Sequence, residues 1–163
     1  MKLCTIIAKN YVAQARVLAR SFAEHHPDGE VSVLVIDDFD GYLDPQEEPF
    51  RLLSPSDIGC AEFELMAARY DILELSTAVK PWLLQTLLDR GLGAVVYLDP
   101  DIAVYASLEP VVELAQDLPG APVGAESLLG LPLRPGLRVR RVRGGGLAHV
   151  VVRSQKPGPT AWS

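Results

Sequence analysis

A change of hydrophobic period within the first 36 residues constrains this chain more than any other feature. Leu3-Cys4-Thr5-Ile6-Ile7-Ala8 is a continuous apolar run of the kind that a strand buried on both faces needs. Val12, Ala15, Leu18, Ala19 and Phe22 then recur at helical spacing, with Arg16, Arg20 and Glu24 elsewhere. That pattern predicts a helix from about Tyr11 to His25. His25 and His26 close it, where a protonated imidazole would meet the helix dipole favourably. His26-Pro27-Asp28-Gly29 supplies a stop and a turn. Val31 to Ile36 is a second, β-branched strand ending in Asp37-Asp38. Such a βαβ unit predicts a right-handed crossover into a parallel sheet.

The alternation continues. Residues 39–57 are acidic and turn-rich, with prolines at 45, 49 and 55, and read as a loop with room for one short strand. Ile58 to Leu75 reads as helix in two pieces, broken near Tyr70-Asp71. Ser76 or Thr77 is expected to cap a further helix through Asp89, with Val79, Trp82, Leu83, Thr86 and Leu87 as its apolar stripe. Pro81 fits such a helix only near its first turn. Gly91-Leu92-Gly93 ends it, and Ala94 to Leu98 is a third strong strand with Asp99-Pro100-Asp101 at its carboxyl end. A short strand over Ile102 to Tyr105 and a helix over Leu108 to Leu118 are expected to follow. Ligands of open α/β sheets bind outside the carboxyl ends of the strands. Asn10, Asp37 and Asp99 all fall there.

Composition excludes several classes. The 163 residues make one ordinary domain, and 48% hydrophobic content describes a soluble globular chain. No apolar run approaches the roughly 20 residues that span a bilayer. The apolar opening stops at Lys9-Asn10, too short for a signal-peptide core, so a cytoplasmic protein is expected. Cys4 and Cys60 share no metal-ligand spacing and read as small buried thiols in a reducing compartment. No G-x-G-x-x-G follows the first strand and no P-loop pattern occurs, which argues against dinucleotide and P-loop chemistry.

Two carboxylates one residue apart point to opposite faces in a regular strand. At a strand end entering a Pro-bent turn, Asp99 and Asp101 can converge on one cation. Carboxylate oxygens suit Mg²⁺ or Mn²⁺, which keep positions open for phosphate oxygens. Three stretches, in order, carry a resemblance: Cys4 to Tyr11, Ser76-Thr77-Ala78-Val79-Lys80-Pro81, and Val96-Tyr97-Leu98-Asp99-Pro100-Asp101. Together, over about residues 2–118, they resemble the GT-A nucleotide-diphospho-sugar transferases, most closely those like glycosyltransferase family 8. The resemblance implies an α/β Rossmann-like fold, here its N-terminal half, with a mostly parallel sheet flanked by helices. It implies nucleotide contacts at Ala8, Asn10 and Tyr11, and a contact from Lys80 to the diphosphate or sugar of a nucleoside diphosphate sugar, a UDP-sugar foremost. It also implies a metal, Mn²⁺ or Mg²⁺, on Asp99 and Asp101. Asp37 and Asp38 could accept hydrogen bonds from ribose hydroxyls. The residues alone leave plainer readings open: a helix cap at Asn10, a half-buried helix residue at Tyr11, an acidic strand-end turn at Asp37, a solvated lysine at Lys80. Trp82 reads as core rather than as a platform for a sugar.

The chain departs from the family after Glu126. Up to there it holds 21 acidic and eight basic residues; beyond it, none and seven. The expected division is therefore 1–126, a nucleotide-sugar-binding domain, and 127–163, a basic Gly/Pro/Arg-rich tail that is disordered or not the family's natural continuation. A frameshift in a GC-rich coding sequence would yield such a tail. A nucleic-acid-binding arm fits less well, because aromatic residues for base stacking are missing until Trp162, so no nucleic-acid partner is expected. His149 and Lys156-Pro157 only faintly echo the family's later His-x-x-Gly-x-x-Lys-Pro-Trp motif. The expected function is the sugar-donor-binding half of a glycosyltransferase acting on an unidentified acceptor. The alternative is a non-catalytic nucleotide-binding module or an inactive fragment.

Overall fold

In the computed structural model, residues 1–90, 94–117, 137–143 and 147–153 are described. The first element is strand β1 (Lys2–Ile7), followed by a 3-10 turn (Lys9–Tyr11) and helix α1 (Val12–His25). Next come β2 (Glu30–Val35), β3 (Arg51–Leu53), a 3-10 turn (Pro55–Ile58) and helices α2 (Phe63–Ala67) and α3 (Ile72–Asp89). Strand β4 (Ala94–Leu98), helix α4 (Glu109–Asp117) and strands β5 (Leu137–Arg143) and β6 (Leu147–Arg153) complete the order. One sheet holds all six strands in the order β3-β2-β1-β4-β6-β5. The first four run parallel, with Leu3 between Val31 of β2 and Val96 of β4. β6 and β5 run antiparallel, and His149 lies opposite Tyr97.

The period-2 alternation of the strands sorts two cores onto the two faces of the sheet. Leu3 and Ile7 of β1, with Val96 and Leu98 of β4, pack against Ala15, Leu18 and Phe22 of α1 and Val112 of α4. Cys4, Ile6 and Ala8, with Val95 and Tyr97, pack against Leu75, Val79, Leu83, Leu84 and Leu87 of α3. Each fully buried Leu, Ile or Phe contributes about 1.5–3 kcal/mol, and Phe22, Leu18 and Leu83 are 0% exposed. Gly29 fits under α1 because it has no side chain: a Cβ there would lie 2.5 Å from the Phe22 ring. Among the described residues, no helix is long and apolar enough to cross a membrane.

Three local expectations are corrected. The helix before β4 begins at Asp71 rather than at Ser76 or Thr77. Asp71 Oδ1 accepts the Glu74 N–H at 2.8 Å, and the Glu74 carboxylate accepts the Asp71 N–H at 3.2 Å. This reciprocal capping box outcompetes the later hydroxyls. Ser76 Oγ instead donates to the Ile72 carbonyl within the helix, at 2.7 Å. Pro81 therefore lies in the interior of α3. It cannot offer an N–H to the Thr77 carbonyl, and burial of the surrounding face carries the helix through. Ile102 to Tyr105 is no strand, because the Val104 N–H goes to Ser21 Oγ at 2.9 Å instead of to a ladder. His26 is not an imidazolium at a helix end. Its Nε2 accepts the Leu108 N–H at 2.9 Å, its ring stacks on Phe22 at 4.7 Å, and burial pulls its pKa below the ordinary value. Residues 137–143 and 147–153 of the basic segment form β5 and β6; Glu126, where the charge balance turns, lies outside the described residues.

Candidate functional site

The strand order makes a crevice. From β1 the chain builds outward through β2 and β3, then crosses back to lay β4 on the other side of β1. Such a switch point splays the loops after the two adjacent strands and leaves a cleft at their carboxyl ends. Ala8, Asn10 and Tyr11 follow β1, and Asp99 and Asp101 follow β4, so the topology brings these five to one end of the sheet. Asp37 follows β2 on the same side.

The β1 end is built around Lys9. Its backbone N–H donates to Asp37 Oδ1 at 2.8 Å, and its Nζ donates to the Asp38 carbonyl at 3.2 Å. Asp37 thus serves an otherwise orphaned N–H at the entry to α1 from the neighbouring strand. Ala8 is buried, and its carbonyl accepts the Tyr11 N–H at 2.9 Å. Asn10 and Tyr11 are exposed, Tyr11 by 42%. Neither the 3-10 turn nor α1 has a side-chain cap, so the plainer reading of Asn10 as a helix cap is set aside. Farther out, Arg16 clasps Glu48 through Nε at 2.9 Å and a terminal nitrogen at 2.6 Å, tying the acidic loop to α1.

The β4 end is a turn closed by the Ile102 N–H on the Asp99 carbonyl at 3.2 Å. Pro100 and Asp101 are its two central residues, and proline is favoured at the first of them because its φ is already set. Asp99 is half-buried and Asp101 exposed. Tyr97, two residues before Asp99 and on the α3 side, is 3% exposed. Burial first, then the charge of Asp99, pushes this phenol well above its usual pKa, so it remains an O–H donor. Lys80 is no solvated lysine. It is 5% exposed, and its Nζ stands 3.8 Å from the centroid of the Tyr97 ring. Cys4 is paired with Tyr97 across β1 and β4; burial pushes its thiol up and the charge of Lys80 opposes that shift. Trp82 is half-buried in the α3-side core, in keeping with packing.

The donor set fits a hard divalent cation in part. Among the described residues no group of three or more His, Cys, Asp or Glu gathers at one point. Two carboxylates with the remaining positions left to water and phosphate oxygens is the arrangement that Mg²⁺ and Mn²⁺ accept. The sequence reading placed Tyr97 in the third strand and gave it no role. The signal was present, since residues two apart in a strand share a face.

The sequence matches no protein-family model and no curated protein. Its fold matches solved structures. The galactosyltransferase LgtC, in complex with donor and acceptor sugar analogs, superposes with a TM-score of 0.50 at 21% identity, covering 94% of this chain and 58% of that one. An active-site mutant of LgtC gives 0.50 and 21%, covering 94% and 57%. The apo form of the glycosyltransferase GlyE of Streptococcus pneumoniae TIGR4 gives 0.49 at 17% identity, covering 94% and 33%. The chain thus spans less than three fifths of LgtC. With its parallel β3-β2-β1-β4 core flanked by helices, the chain has the Rossmann-like GT-A fold of glycosyltransferases.

Proposed function

We propose that this chain is the sugar-donor-binding half of a metal-dependent glycosyltransferase that uses a nucleoside diphosphate sugar. The observation that carries the reading is the placement of Asp99 and Asp101 on a turn at the switch point, across from the exposed Asn10 and Tyr11. Asn10 and Tyr11 would contact base and ribose, with Ala8 as a buried wall. The Asp37 oxygen not committed to Lys9 would accept from a ribose hydroxyl. Asp99 and Asp101 would hold Mn²⁺ or Mg²⁺, and Lys80, in the same cluster, would add positive charge beneath the diphosphate. The cation, when bound, stabilises the charge that develops on the departing diphosphate, as a Lewis acid does. The donor and acceptor sugar analogs held by LgtC support a saccharide as acceptor class.

Calorimetric titration of the chain with UDP, with and without Mn²⁺, tests this. Metal-dependent binding should appear and should fall at least 10-fold in Asp99→Ala/Asp101→Ala. A folded chain that does not bind UDP in Mn²⁺ overturns the reading. The other reading is a binding module without catalysis. Release of free sugar from UDP-sugars, absent despite metal-dependent UDP binding, would favour it.

A further inference from the structure

We propose that Tyr42, on the loop between β2 and β3 and held beside Lys9, is a further binding residue of the donor site: its ring stacks on the nucleobase. This rests on the donor-site reading and deepens it. A nucleobase presents two flat π faces, and an aromatic side chain covers such a face whatever the base's edge carries. Tyr42 is 62% exposed, on a loop that begins at Asp37 and Asp38. A single exposed ring is ordinary on a protein surface. What singles out this one is the set of contacts that keeps it at the β1 end.

The loop is built to present the ring. The Phe39 carbonyl accepts the Tyr42 N–H at 2.9 Å and the Leu43 N–H at 3.1 Å. That closes a turn whose third residue, Gly41, has φ 71°, a conformation that glycine adopts without strain. Phe39 and Leu43 pack against the core under α1, which leaves Tyr42 between them turned outward. Lys9 then joins the turn to the site. It lies between Ala8 and Asn10, with its N–H on Asp37 Oδ1 and its Nζ on the Asp38 carbonyl. The same Nζ stands over the Tyr42 ring, 5.9 Å from the centroid, within the range of a cation–π contact. The ring is thus tied to the turn that carries Asn10 and Tyr11. At the far end of the loop, Arg16 holds the Glu48 carboxylate, whose side chain is 1% exposed. A ring fixed in advance at both ends of its loop loses little freedom when a ligand arrives.

Tyr42→Ala and Tyr42→Phe test this, in calorimetric titrations with UDP and, separately, with inorganic pyrophosphate, both in Mn²⁺. Pyrophosphate keeps the charged group of the ligand and lacks the base. Tyr42→Ala should bind UDP about 10-fold more weakly than the wild-type chain and pyrophosphate equally well. Tyr42→Phe retains the ring and should match the wild-type chain with both. Unchanged UDP affinity in Tyr42→Ala overturns the inference and leaves the donor site standing. An equal loss towards pyrophosphate overturns it too, because a loosened loop would then suffice. So does a loss in Tyr42→Phe as large as that in Tyr42→Ala, since the hydroxyl and not the ring would then carry the contact. A folded wild-type chain that binds no UDP in Mn²⁺ overturns the donor-site reading and this inference with it.

Discussion

Single residues show where the sequence satisfies chemistry and where it does not. Thr5 is 0% exposed at the centre of β1, on the side that packs against α1, and its hydroxyl finds no hydrogen-bond partner among the described residues. A buried hydroxyl without a partner costs about 1–3 kcal/mol. Thr5→Val keeps the branched shape and should raise stability by about 1 kcal/mol or more in urea unfolding; a lower midpoint would show that the hydroxyl has a partner. Lys80 is the contrasting case, a 5% exposed cation whose Nζ stands 3.8 Å from the centroid of the Tyr97 ring. Both positions are plain in the sequence as residue types. Neither satisfaction is, because such a contact depends on direction, which linear spacing does not record.

At the scale of elements, capping chemistry decided a boundary that periodicity placed wrongly. Two rival N-termini lie five residues apart, Asp71 with Glu74 and Ser76 or Thr77 with Pro81. The capping box joins two orphan donors at once, and the apolar stripe extends back to Leu75, so the earlier start wins. Asp71→Ala should therefore cost about 1 kcal/mol. Ser76→Ala, which loses only a hydroxyl bonded within the helix, should stay within about 0.5 kcal/mol of wild type in the same melts. The reverse ranking would restore the later cap. The βαβ unit and β4 were legible because each carries an uninterrupted pattern: Leu3–Ala8, the 12-15-18-19-22 stripe, and Ala94–Leu98. The stretch 102–105 was not, because whether an extended segment becomes a strand depends on a neighbour with free backbone groups, and Ser21 reached Val104 first.

The whole molecule has an acid-sensitive fastening that neither scale shows alone. His26 ends α1, yet its Nε2 holds the first turn of α4 through Leu108. Its pKa is lowered from 6.5 on folding, by burial foremost, so the folded state prefers the neutral ring. The stabilisation is full above pH 6.5 and is lost as pH falls through the lower folded value. Glu30 and Asp57 are also lowered on folding, from 4.5 and 3.8, by Lys2 and by the Ser54 N–H respectively, and their contributions are lost at still lower pH. Melting temperature should therefore begin to fall just below pH 6.5, and His26→Gln should remove that first phase and spare the second. An unchanged profile in His26→Gln would assign the first phase to another group. By itself the sequence determined the parallel α/β framework, since hydrophobic period is a local property. Only the tertiary structure decided which strands flank β1 and that Lys80 is buried on Tyr97. Those are relations between residues distant along the chain or turned by local geometry, and close packing fixes them only when the sheet and helices are assembled.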